Sequence, residues 1–72
     1  MSLPSDKCER PPQVDFADTT EMTKPEYNSG ERVEYVCFNK YTLVQSRPYS
    51  KYMTCEQGEW RGHIKCLSKY EH

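Results

Sequence analysis

Cys8, Cys37, Cys55 and Cys66 are the residues of this chain best suited to covalent chemistry, and their spacing decides which kind. They fall as C-x28-C-x17-C-x10-C, with no C-x-x-C pair. A zinc site takes its Cys and His ligands in compact pairs, which this spacing does not supply. An even number of widely spaced cysteines in 72 residues reads as two disulfides and an extracellular setting. The residues alone leave three pairings open. Once both bridges form, no thiolate remains as a nucleophile. The only candidate bases are His63 and His72, the latter the last residue, and no serine lies in a Gly-x-Ser-x-Gly elbow. No enzyme, metal or cofactor is expected.

The rest of the chain explains why staples are needed. A domain of this size buries only about 60% of its unfolded surface. Hydrophobic residues are 35% and the mean hydropathy is −1.03. Burial alone struggles against roughly 1.5 kcal/mol of ordering entropy per residue. The net charge of −1 conceals a split, −4 over residues 1–36 and +3 over residues 37–72. If the ends of the domain lie apart, one region carries a positive potential. No apolar run approaches the 18 residues or so of a membrane span. No signal peptide is expected, and Met1-Ser2-Leu3 reads as an added start before a module of a longer secreted chain.

The elements that must hold these cysteines read as strands. Pro11 and Pro12 forbid a helix after Cys8. Gln13 to Phe16 is a short strand candidate, and Asp18 to Glu26 reads as loop. Asn28-Ser29-Gly30-Glu31 is turn chemistry. Arg32 to Cys37 then alternates, with Val33, Tyr35 and Cys37 on one face. Tyr41 to Val44, Tyr52 to Cys55 and Ile64 to Leu67 are further strands, Gln45 to Ser50 a loop, and Gln57-Gly58 a turn before Trp60. No 3.6-residue period appears, so the chain reads as all-β with little regular structure.

The residues between the cysteines add a pattern. Cys8, Pro11, Tyr27, Gly30, Val33, Tyr35, Cys37, Tyr41, Leu43, Cys55, Gly58, Trp60 and Cys66 follow one another at set intervals. This order resembles the complement control protein module, also called the sushi domain or short consensus repeat, over residues 8–66. The stretch from Tyr27 to Cys37 is similar to modules of complement factor H and the factor H-related proteins. The resemblance implies Cys8–Cys55 and Cys37–Cys66 bridges, an elongated disulfide-stapled β-sandwich, and Trp60 buried beside the second bridge. Residues 1–7 are then start and linker, 8–66 the domain, and 67–72 a linker tail. The chain departs from the pattern at three places. Phe16-Ala17-Asp18 stands where Asn-Gly is frequent, Lys40 precedes Tyr-x-Leu in place of Gly, and Ile64 replaces a Pro before the last Cys.

Such a scaffold does no chemistry, so function must come from surface side chains. One candidate set is basic: Lys40, Arg47, Lys51, Arg61, Lys65 and Lys69, with Tyr49 and Tyr52 interleaved. The resemblance implies heparan sulfate or sialylated glycans as its ligands. The competing reading is solubilising charge scattered over several faces. A second set is of aromatics read as exposed, Tyr41, Tyr49, Tyr52 and Tyr70, with Arg47; Arg47, Tyr49, Lys51 and Tyr52 are candidates for protein contact. The competing reading puts Tyr41 in the core. The expected function is a secreted, non-catalytic binding module. Its expected partners are the activated third complement component or its fragments, host polyanions and neighbouring sushi modules, with no nucleic acid. The alternatives are a module of a cytokine receptor, adhesion or coagulation protein, and a spacer with no ligand of its own.

Overall fold

The computed structural model describes residues 6–69. Six strands build it: β1 (Ala17–Thr19), β2 (Arg32–Cys37), β3 (Tyr41–Leu43), β4 (Tyr52–Glu56), β5 (Glu59–Arg61) and β6 (Cys66–Ser68). All pair antiparallel, as a four-stranded sheet of order β1-β2-β4-β5 and a two-stranded ribbon β3-β6. The body measures 53 × 25 × 14 Å. The architecture is the all-β, disulfide-stapled one expected.

The turns follow from residue type. Gly30 takes φ +95°, and the Glu31 N–H closes onto the Asn28 carbonyl at 3.1 Å. Gln57 and Gly58 both have positive φ and join Glu56 to its cross-strand partner Glu59, the two-residue turn that suits strand twist. Gly58 has no Cβ to oppose that conformation.

Two disulfides, Cys8–Cys55 and Cys37–Cys66, are those the resemblance implies. Around them the core is thin. Cys8, Tyr27 and Cys55 form one buried cluster, and Ala17, Tyr35 and Met53 a second. Val33 and Trp60 pack against both. The alternation along β2 holds except at Glu34, with Tyr35 buried, Val33, Glu34 and Cys37 half-buried, and Arg32 and Val36 exposed.

Three readings are corrected. The first strand is not Gln13–Phe16 but Ala17–Thr19, which runs into the stretch read as loop. Phe16 has φ +65° and so turns the chain, while pairing Ala17 with Cys37 and Thr19 with Tyr35 sends the small Ala17 inward. Trp60 lies within β5 opposite Cys55, so it flanks the first bridge rather than the second. It is also only half-buried. Its ring meets Tyr27 edge-on at 5.0 Å, and its indole N–H donates to the Glu9 carbonyl at 2.9 Å. Finally, Tyr41, Tyr49 and Tyr52 are half-buried rather than exposed, and Tyr70 lies outside the described residues, as does His72. The β3–β6 ladder runs past Cys66 to Ser68, and the Lys69 N–H bonds the Lys40 carbonyl at 2.9 Å.

Candidate functional site

The six candidate cations divide into two groups once their partners are seen. Arg61 sits in β5 beside the tight turn, where Glu56 and Glu59 face each other across the hairpin. Like charges so placed repel, and the Arg61 guanidinium bridges both carboxylates, at 3.5 and 3.0 Å. Lys51 is held by Glu34 at 3.3 Å and lies 5.4 Å from the centre of the Tyr52 ring. The Glu34 carboxylate first, and then Tyr52, raise this ammonium above the usual lysine range. Arg32 covers the same ring at 4.4 Å. Tyr52 therefore already has two cations of its own chain at its ring.

Lys40, Arg47, Lys65 and Lys69 differ. All four are exposed, and none forms an ion pair among the described residues. The β3–β6 ribbon explains how three of them come together. Thr42 faces Leu67, and residues directly opposite in a ladder share a face while neighbours alternate. Lys69 bonds Lys40 at one end of the ribbon, and the Val44 N–H donates to the Lys65 carbonyl at 2.9 Å at the other. Lys40, Lys65 and Lys69 thus fall on the outer face with Thr42 and Leu67, while Tyr41, Leu43, Cys66 and Ser68 form the more buried inner face.

The 45–50 loop adds Tyr49. Lys65 Nζ lies 5.7 Å from the centre of that ring, and His63 meets it edge-on at 6.3 Å. The Ser50 N–H donates to the His63 carbonyl at 3.0 Å, tying loop to ribbon. Arg47 projects from the same loop. The structure thus gathers Lys40, Lys65 and Lys69 with Tyr49 nearby, and leaves Lys51, Tyr52 and Arg61 in other company. Sequence reasoning missed His63 and Arg32 as ring partners, because nothing in their local spacing signals a contact across strands. Among the described residues no group of His, Cys, Asp and Glu is arranged to hold a metal ion.

Comparison with known proteins agrees with this architecture. Residues 8–69 match the Sushi repeat (SCR repeat) family model. The chain is 38% identical to complement factor H of Mus musculus over 61 residues, covering 85% of this chain and 5% of that protein. Factor H of Bos taurus gives the same figures. Coagulation factor XIII B chain of Homo sapiens is 35% identical over 63 residues, covering 88% of this chain and 9% of that protein. The chain spans a small fraction of each relative's length, and with its six strands, paired bridges and matched repeat it belongs to the sushi repeat family.

Proposed function

We propose that this chain is a non-catalytic, secreted binding module of the complement-regulator type, and that the outer face of the β3–β6 ribbon carries its anionic ligand. The observation behind the reading is the company of Lys40, Lys65 and Lys69, three cations on one ribbon face with no carboxylate among them. Lys40 and Lys69 are directly opposed, a placement that costs the fold. A bound anion relieves that repulsion. Arg47 and Tyr49 extend the surface along the adjoining loop. The ligand class is a sulfated or sialylated glycan such as heparan sulfate, or an acidic face of the activated third complement component. The similarity to factor H supports a complement partner in general terms.

Affinity that arises from charge and counterion release falls steeply with salt. The isolated chain is therefore expected to bind immobilised heparin at low ionic strength and to elute with moderate salt. Replacing Lys40, Lys65 and Lys69 together by Ala sends it to the flow-through, whereas Lys51→Ala with Arg61→Ala changes little. Passage of the unaltered chain through the column at low salt overturns the glycan reading. Binding to immobilised complement opsonin tests the protein partner. The 53 Å length of a body only 14 Å thick favours a second reading, a spacer that sets distance between neighbouring modules. A longer protein that keeps its interaction after this module is removed would select it.

A further inference from the structure

A second surface lies at the end of the body where β1 starts, β2 ends and β3 starts. Phe16 and Phe38 are 47% and 53% exposed there. Phe16 stacks on Tyr41 with ring centres 4.3 Å apart and planes 8° from parallel. The Phe38 N–H donates to the Phe16 carbonyl at 2.8 Å, and the Tyr41 N–H to the Phe38 carbonyl at 2.8 Å, so the three residues form one hydrogen-bonded unit. Phe16 holds φ +65°. A bulky side chain seldom adopts that conformation, which Asn or Gly takes with less strain. Strain kept to display an aromatic ring at the surface points to use of the ring.

The charges on either side of these rings have opposite sign. On the β1 side lie Asp15 and Asp18, neither in an ion pair among the described residues. They line a groove of about 430 Å³ with Pro12, Val14, Tyr35 and Phe38; Arg10 also lines it, which leaves its wall net negative. On the β3–β6 side lie Lys40 and Lys69. An apolar centre with an acidic flank and a basic flank is complementary to itself under a two-fold axis.

We infer that this aromatic end is a docking surface for a second copy of the chain. Phe16, backed by Tyr41, and Phe38 meet their equivalents, and each copy's Lys40 and Lys69 face the other's Asp15 and Asp18. The apolar centre supplies the attraction, and the flanking charges fix orientation and exclude other partners.

Sedimentation equilibrium over a range of concentrations tests this. The weight-average mass should rise toward that of a dimer as concentration increases, and the rise should shrink with salt. Asp15→Lys with Asp18→Lys makes both flanks basic, and Lys40→Asp with Lys69→Asp makes both acidic. Each pair of substitutions should weaken self-association by at least about tenfold. An equimolar mixture of the two variants should associate again, because each flank then meets its opposite. Phe16→Asn keeps the backbone conformation and should abolish association while leaving the fold, read by circular dichroism, unchanged. The Asp15→Lys/Asp18→Lys pair and Phe16→Asn leave the ribbon lysines intact and so should still bind heparin, which tells loss of self-association from loss of the anion site that shares Lys40 and Lys69. A chain that stays monomeric at the highest concentration, or charge variants that fail to associate when mixed, would overturn the inference.

Discussion

At the scale of single residues, Trp60 and Tyr35 meet the thin core in different ways. Trp60 is half-buried, so its loss removes less packing than that of an interior ring. It also gives up an edge-on contact with Tyr27 and an indole hydrogen bond to Glu9. Trp60→Ala is expected to cost about 3 kcal/mol, the lower end for a large aromatic, seen as a fall in the urea midpoint. An unchanged midpoint would refute the placement. Tyr35 is only 2% exposed, and its hydroxyl donates to the Pro12 carbonyl at 2.6 Å. Burial above all, then Tyr27 and Asp18, push this phenol up to about 12. In the unfolded chain it titrates near 10. The folded chain therefore keeps a proton that the unfolded chain releases. This contribution to stability is whole below about pH 10 and is lost as pH rises toward about 12. It amounts to roughly 2–3 kcal/mol. Tyr35→Phe, which removes the titrating group, should show a flatter decline in that window when denaturation midpoints are compared on either side of it.

At the scale of elements, legibility followed how strongly local chemistry fixed each strand. Arg32 to Cys37 was plain because a turn with Gly30 precedes six residues that alternate without interruption. Tyr41–Leu43 and Tyr52–Glu56 were found to within a residue or two, for the same reason. Ala17–Thr19 was missed because three residues are too short to show a period, and because the turn before them is made by Phe16 instead of a small residue. The basic set was legible as residue types but not as a site. Only ladder register separates Lys40, Lys65 and Lys69 from Arg61, which is occupied by Glu56 and Glu59. The link after β5 makes a further demand. Gly62 has φ +144°, and a Cβ there would stand 2.7 Å from the Tyr52 carbonyl oxygen and 3.0 Å from Met53 Sδ. Gly62→Ala should therefore destabilise by about 2 kcal/mol or more, measured by thermal or urea unfolding.

At the scale of the whole molecule, the covalent frame sets both stability and mechanics. The Cys37–Cys66 bridge spans a separation of 29 residues and Cys8–Cys55 one of 47. Loop entropy assigns roughly 3.5–4 kcal/mol to each bridge. Replacing Cys37 and Cys66 together by Ala should lower the unfolding free energy by about that much, a large share of what so thin a core can hold. The bridges also change what tension can do. Pulled at Cys8 and Cys66, a reduced chain could pay out 58 peptide links, on the order of 200 Å. In the oxidised chain the load crosses from Cys8 to Cys55, whose Cα atoms are 6.0 Å apart, and then has only 11 links to straighten before Cys66. That path reaches roughly 45 Å at full stretch, about a quarter of the reach of the reduced chain. The oxidised domain is in effect a short strut whose lengthening is capped at straightening the β4–β5 hairpin, and cutting its bridges would turn it into a slack tether.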